Sequence, residues 1–231
     1  DLRGGEPWKI TSHDFGVFNY EWMDDNRIMI LAREGKTLLE QNAKEKKDDT
    51  IVVEDQEHMM PARLYIFDIE KKKMLRLTEN KDEINNFDLS YNKKMVITQN
   101  NQSVRFGVDQ KIKPKYYLIN IQEKTTKELF TDPKFKPQSF FWAFDDKGFY
   151  FTHTRTSDYE NGGPGADFLY YYDLQKTDYR EVPLLWDNGL SFAGIYPRKD
   201  GFVAHLANGA IPKIRRYYAK GNNFSFKEIE G

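Results

Sequence analysis

The segment around Ser191 comes nearest in this sequence to a catalytic motif. Residues 189–193 have the order GLSFA. An α/β-hydrolase carries its nucleophile in Gly-x-Ser-x-Gly at a sharp turn from a strand into a helix, and the acid and the histidine follow later. Here the next residues, GIYPR, indicate a strand and a turn, and the histidines at positions 13, 58, 153 and 205 are scattered. We therefore predict that Ser191 lies in a strand and that the chain has no catalytic residue.

Two other segments have residue types that bind metals or phosphates. The first is an acidic run with one histidine: Asp48, Asp49, Glu54, Asp55, Glu57 and His58. Its spacing fits neither a calcium loop nor a zinc site, so we predict a solvated loop. The second, GGPG at 162–165, lacks the lysine, strand and helix of a phosphate-binding loop, which indicates a loop tip. We predict no metal site and no cofactor.

Composition and charge narrow the classes of partner. The formal net charge is −1, so there is no basic excess that would favour nucleic acid or an anionic membrane surface. No apolar run is long enough for a membrane span, and Asp1 to Gly5 is not a signal peptide. The absence of cysteine excludes a disulfide scaffold, but leaves both a cytoplasmic and a periplasmic location open.

An internal repeat indicates the elements that must position these residues. A hairpin pattern starts with an acidic or polar residue and an apolar one, and continues through a polar turn into an alternating strand. A second hairpin, formed by two apolar strands around a short polar turn, accompanies each of the first four copies. The copies of the first pattern are 1–11, 68–78, 120–131, 173–184 and, more loosely, 219–229, and those of the second are 20–31, 87–98, 141–152 and 194–205.

This repeat predicts an all-β fold, a partial β-propeller of about four four-stranded antiparallel blades in one domain. Apolar positions that we treat as equivalent, Ile28, Met95, Phe149 and Phe202, are 67, 54 and 53 residues apart. A β-sandwich, the alternative, has no reason to keep such a period. The predicted blades are 12–79, 80–131, 132–185 and 186–231, and 1–11, with a strand at 6–11, would contribute the outer strand of a preceding blade.

Within each blade, strands A to D run from the inner to the outer edge. Blade 1 has predicted strands at about 17–22, 27–33, 63–68 and 73–78. The other A–B hairpins fall near 85–98, 138–153 and 190–206, and the C–D hairpins near 115–130, 168–183 and 213–229. Residues that tolerate positive φ suit the A–B turns: Asp25-Asn26, Asn92-Lys93, Asp146-Lys147-Gly148 and Lys199-Asp200-Gly201.

Two expectations concern surfaces. The long B–C connections at 34–61, 100–113 and 154–166 emerge at one edge of the blades, and this edge is the predicted functional one. An open ring with faces as aromatic as Tyr170–Tyr172 and Phe140–Trp142 leaves apolar surface exposed. We therefore expect the chain to self-associate.

The repeats resemble those of TolB-like propellers and of the propeller domains of the prolyl oligopeptidase family, which includes dipeptidyl and acylaminoacyl peptidases. The resemblance rests on LYIFDIEKKKMLRLT at 64–78, FNYEWMDDNRIMIL at 18–31 and IVVEDQEHMMPARLYIFD at 51–68. It departs from the common Trp-Ser-Pro-Asp pattern at Met23-Asp24 and at Leu89. In that family the propeller packs on an α/β-hydrolase domain and admits only small peptides.

The resemblance implies one functional hypothesis. The chain would be a non-catalytic propeller domain whose serine peptidase domain lies elsewhere in the parent protein. Residues of the B–C loops would then contact a peptide's amino end or carboxylate: Arg105, Asp158, Tyr159 and Glu160. An alternative interpretation of these residues is that they are surface groups without a role. An alternative interpretation of the chain is that it is a TolB-like propeller that binds only proteins.

Overall fold

The structure is a computed structural model that describes residues 9–11, 13, 16–35, 43–47, 61–103, 105–109, 111–132, 135, 137–157, 165–220 and 223–229. The described part is dominated by β-strands whose apolar side chains alternate or cover both faces. The helical residues in this part are one turn at 43–46 and another at Phe106–Asp109. We number the four groups of four consecutive strands blade 1 to blade 4.

The strands follow one another as hairpins along the chain. Their bounds are β1 Val17–Trp22, β2 Arg27–Arg33, β3 Ala62–Asp68 and β4 Lys73–Arg76 in blade 1, and β5 Glu83–Leu89, β6 Met95–Asn101, β7 Lys115–Asn120 and β8 Thr125–Leu129 in blade 2. Those of blade 3 are β9 Pro137–Trp142, β10 Gly148–Thr156, β11 Gly165–Asp173 and β12 Asp178–Glu181, and those of blade 4 are β13 Leu190–Arg198, β14 Gly201–Leu206, β15 Lys213–Lys220 and β16 Asn223–Ile229. These strands lie at the predicted positions, whereas the predicted blade limits and the single domain stay predictions.

The strand order is sequential within each blade. Blades 1 and 2 are separate sheets with the orders β1-β2-β3-β4 and β5-β6-β7-β8. Blades 3 and 4 join into one eight-stranded sheet, because Asp167 of β11 pairs with Leu190 of β13. This junction was not predicted, and it consists of that single residue pair.

The chain divides into two compact units. One comprises Asp1–Phe87, Thr98–Lys115 and Ile121–Thr125, and the other comprises Asp88–Ile97, Tyr116–Asn120 and Thr126–Gly231. In the first unit, Ile10 packs against a buried cluster of β2 and β3 that includes Ile30 and Phe67. In the second unit, one cluster joins strands of blade 2 to blade 3 and another joins blade 3 to blade 4.

Three details differ from the predictions. Residues 1–8 lie outside the described residues, and 9–11 are not in a strand, so an outer strand at 6–11 stays a prediction. The residue equivalent to Ile28 is Val96, because Ser90 N donates to Met95 O as Met23 N donates to Arg27 O. Asp25 and Asn26 do not have positive φ, since the Asp24 carboxylate closes that turn by accepting the N–H groups of Asn26 and Arg27.

Candidate functional site

The edge of blade 3 from which its long B–C loop emerges carries an arginine held by three groups. β10 ends and β11 begins there, and the guanidinium of Arg155 lies 4.2 Å from the centre of the Phe168 ring. Arg155 Nη2 donates to the Tyr170 hydroxyl over 3.2 Å and forms an ion pair with Glu181. The Tyr170 hydroxyl first, and then the charge of Glu181, raise the pKa of Arg155. The result is an aromatic and charged surface beside the loop.

The corresponding edge of blade 1 carries a network of charged side chains. Glu34, the first residue after β2, accepts a hydrogen bond from Arg63 over 2.7 Å and also binds Arg76. Arg76 pairs in addition with Glu79 over 2.7 Å. The Glu79 carboxylate, followed by that of Glu34, raises the pKa of Arg76. Opposite charges are therefore matched within this edge.

Blade 4 repeats the arrangement with a buried arginine. The Arg215 side chain is 8% exposed and its guanidinium lies 5.0 Å from the Trp186 ring and 4.2 Å from the Phe226 ring. It donates to the carbonyl of Leu185 over 3.1 Å and pairs with Glu228 over 2.9 Å. Stacking on planar rings and pairing with a carboxylate are the contacts that a guanidinium makes best. This group is a structural anchor of the edge.

These three edges share one chemical property. Each arginine named above already binds a carboxylate of its own blade, and in blades 3 and 4 the arginine also lies beside aromatic rings. A peptide carboxylate that binds such an arginine must therefore compete with an internal glutamate. At exposed positions such as Glu181 these ion pairs are worth little, about 1 kcal/mol or less, so exchange is feasible.

Of the four residues that were predicted to contact a peptide, one lies in the described part of the chain. Arg105 is exposed in the B–C loop of blade 2, directly before the helical turn, and its backbone N donates to Ser103 Oγ over 3.1 Å. Asp158, Tyr159 and Glu160 lie outside the described residues, so their proximity to Arg105 stays a prediction. The sequence did not indicate the group of Arg155, Phe168 and Glu181, because their contacts depend on which residues of β10, β11 and β12 lie opposite each other.

The surroundings of Ser191 are those of a strand residue. Ser191 lies in β13, and its buried Oγ has no hydrogen-bond partner among the residues that the structure describes. His205 is in β14 and packs on Tyr196, with ring centres 5.6 Å apart. Gly189 has φ 73°, and a Cβ there would lie 2.5 Å from the Asp167 carbonyl oxygen. The glycine of the motif therefore allows the close junction of blades 3 and 4.

The acidic segment and the glycine-rich segment lie largely outside the residues that the structure describes. The acidic run 48–58 is not among the described residues, and of GGPG only Gly165 is, as the first residue of β11. In the described part of the chain, no group of three or more histidine and acidic side chains is arranged to hold a metal ion. Among the same residues, no helix has the length and apolar character needed to cross a membrane.

Comparisons of the sequence with family models and with curated proteins give no match. Comparison of the structure gives many matches, and the three described here have low sequence identity. TolB from Acinetobacter baumannii has a TM-score of 0.58 at 15% identity over 97% of this chain and 46% of its own. Dipeptidyl peptidase 4 from Porphyromonas gingivalis has a TM-score of 0.57 at 13% identity over 91% of this chain and 32% of its own.

A third match is the β-propeller domain of the Trilobed protease from Pyrococcus furiosus, which has an open velcro topology. Its TM-score is 0.51 at 7% identity over 93% of this chain and 57% of its own. The chain thus spans about half or less of TolB and of dipeptidyl peptidase 4, and somewhat more of the propeller domain. Together with the sheet topology, these likenesses show an all-β fold, a partial β-propeller of about four four-stranded antiparallel blades.

Proposed function

We propose that this chain is the non-catalytic propeller domain of a serine peptidase of the prolyl oligopeptidase family. In this proposal it packs on an α/β-hydrolase domain of its parent protein and limits which peptides enter the active site. The observation that carries the proposal is the likeness to propellers of peptidases. The match to dipeptidyl peptidase 4 covers 91% of this chain but only 32% of that protein, which leaves room there for another domain.

The loop edge of the blades supports a role with peptides. Arginine, acidic and aromatic side chains alternate there, as in Arg155, Phe168 and Glu181. Charged groups of both signs suit the two ends of a short peptide, because an arginine binds the carboxylate and a glutamate the amino group. Within this proposal Arg105, Asp158, Tyr159 and Glu160 remain candidates for such contacts.

A second candidate function is that of a TolB-like propeller that binds proteins and has no associated enzyme. The match to TolB favours it, because that match covers 97% of this chain. In this case the same loop edge would bind a folded partner or an extended segment. Under either function, self-association of the chain remains part of the proposal.

Labelling with a fluorophosphonate probe separates the two functions. The longer product of the gene should label on a serine outside this chain, and the isolated chain should not label. Substitution Ser191→Ala should leave both results unchanged. A longer product without a hydrolase domain would leave the TolB-like function, and labelling of the isolated chain that Ser191→Ala removes would contradict the proposal.

A further inference from the structure

The sequence places an asparagine directly before a glycine at 161–162, 188–189 and 208–209. The first of these dipeptides lies outside the described residues. The second comes directly before β13, and the third is in the loop between β14 and β15. Glycine has no Cβ, so its backbone nitrogen is the least hindered neighbour that an asparagine side chain can have. The two described dipeptides are therefore the same chemical group in two different structural settings.

An asparagine before glycine can react with its own backbone. The glycine nitrogen forms a bond to the asparagine Cγ, the bond from Cγ to Nδ2 breaks, and Nδ2 leaves as ammonia with the proton of the glycine nitrogen. Water then opens the cyclic imide at either carbonyl group, which gives aspartate or isoaspartate. Nothing is oxidised or reduced, and water is the only co-reactant. At a given pH and temperature, the freedom of the backbone therefore sets the rate.

The backbone that follows Asn188 is fixed on both sides of Gly189. The N–H of Gly189 donates to the Trp186 carbonyl over 3.4 Å, and the carbonyl of Gly189 accepts the N–H of Ala207 over 3.0 Å. Gly189 is buried, and an added Cβ would lie 2.5 Å from the Asp167 carbonyl oxygen. Attack on Asn188 requires rotation of the peptide group that joins it to Gly189. This rotation must break the contacts at the junction of blades 3 and 4.

The backbone that follows Asn208 has no such contacts. Gly209 is exposed, and nothing lies within 4 Å of the place that a Cβ would take. Among the described residues, no hydrogen-bond acceptor lies opposite the Gly209 N–H. The Asn208 side chain is held by an exposed hydrogen bond from Nδ2 to the Ile211 carbonyl over 3.2 Å. Asn188 is exposed as well, so the two sites differ in the freedom of the glycine.

We propose that Asn208 deamidates spontaneously in the folded chain, and that the junction of blades 3 and 4 protects Asn188 from the same reaction. Either product at position 208 has a negative charge and loses the hydrogen bond from Nδ2 to the Ile211 carbonyl. Isoaspartate also lengthens the main chain of the loop, because the chain then passes through Cβ and Cγ. The modification alters the B–C loop of blade 4, at the edge that we predict to be functional. It does not rest on either proposed function.

Peptide mapping by mass spectrometry tests this inference. Trypsin separates the three dipeptides, because its cleavage sites place them in the peptides 156–176, 181–198 and 200–213. Incubation of the folded chain in heavy-oxygen water at mildly alkaline pH, followed by digestion in ordinary water, labels deamidation that occurs during the incubation. Asn208 should react at least about tenfold faster than Asn188, since a local opening that costs about 1.4 kcal/mol or more slows a reaction by this factor.

Two controls separate the effect of the fold from that of the sequence. In concentrated urea the two asparagines should react at similar rates, because each precedes glycine and no junction restrains the chain. In the folded chain, Gly209→Ala should slow the reaction at Asn208, because the added methyl group hinders the attacking nitrogen. Asn188 should stay protected in this variant, which shows in the same sample that the junction remains folded.

Three results would overturn the proposal. The first is a folded chain in which Asn188 reacts as fast as Asn208 or faster. The second is a difference between the two sites that persists unchanged in urea, since the sequence and not the junction would then cause it. The third is label in the peptide 200–213 of the variant Asn208→Gln at the rate of the native chain, because the labelled group would then not be Asn208.

Discussion

The indole N–H of Trp142 in blade 3 donates to the backbone carbonyl of Asp88 in blade 2 over 3.0 Å. This bond joins the first strands of two consecutive blades, which also meet through apolar packing and through the Tyr116 hydroxyl, which donates to the Pro137 carbonyl over 2.6 Å. A carbonyl acceptor places no demand on the Asp88 side chain, so the contact can recur between blades whose sequences differ. Trp142 is accordingly central to the packing of blade 3 on blade 2.

Replacement of this side chain should destabilise the chain. Trp142→Phe removes the N–H that donates to the part-buried carbonyl of Asp88 and also reduces the ring volume, and we expect a loss of about 1–3 kcal/mol in the free energy of unfolding. Trp142→Ala should lose about 3–5 kcal/mol. Trp22→Phe is the matched control, because Trp22 has the same strand position but is 51% exposed, and it should lose less than about 0.5 kcal/mol. Urea denaturation at low protein concentration measures all three, and equal losses for the two Phe variants would contradict this account.

The junction of blades 3 and 4 predicts a difference between two glycines. Gly189 has φ 73° with the Asp167 carbonyl oxygen 2.5 Å from an added Cβ, whereas Gly209 has φ 62° with nothing within 4 Å. Gly209→Ala should therefore lower the free energy of unfolding by only about 1 kcal/mol, which is the cost of a positive φ at alanine. Gly189→Ala should lower the free energy of unfolding clearly more than Gly209→Ala does, because the added Cβ also forces β13 away from β11. Similar thermal midpoints for the two variants would show that the junction is looser than described.

The strands and their order were predictable, because alternating apolar residues and polar turns recur with a period near 53 residues. The junction between Asp167 and Leu190 was not, since it depends on a close backbone approach at Gly189 that no alternation encodes. At the candidate site the sequence indicated the loop edge and Arg105. It could not indicate that Arg155 binds Glu181, because residues on β10 and β12 meet only through the register of β11 between them.

The C–D turns were also only partly predictable, and they offer a stabilising substitution. Lys72, Lys124 and Thr177 have φ of 50°, 54° and 54° at the same place in three turns, although lysine and threonine disfavour this conformation. Lys124→Gly should raise the free energy of unfolding by up to about 1 kcal/mol, because glycine adopts positive φ without strain. Thr125→Gly, one residue further in β8, is the control and should lower it. The midpoints of urea denaturation measure both effects. A lower midpoint for Lys124→Gly than for the native chain would contradict this prediction.

The ion pair of blade 4 predicts a dependence of stability on pH. The hydrogen bond from Arg215, and then the charge of Lys213, lower the pKa of Glu228 below its usual value of 4.5. Because the folded-state pKa is the lower one, this pair stabilises the fold fully above pH 4.5 and loses its effect as the pH falls through the folded-state value. The native chain should therefore be more stable than Glu228→Gln near neutral pH, and the difference should shrink below pH 4.5. A difference that is constant across this range in urea titrations would exclude Glu228 as the titrating group.

The size of the peptides cleaved by the longer gene product tests the proposed gating most directly. Synthetic peptides that share one cleavage sequence, with lengths from about 4 to about 60 residues, would be compared by kcat/KM. A propeller that limits access by size should lower kcat/KM at least about tenfold between the short and the long peptides, since uniform chemistry leaves only entry to differ. Hydrolysis with the same kcat/KM at every length would contradict the proposal that this propeller controls access to the active site.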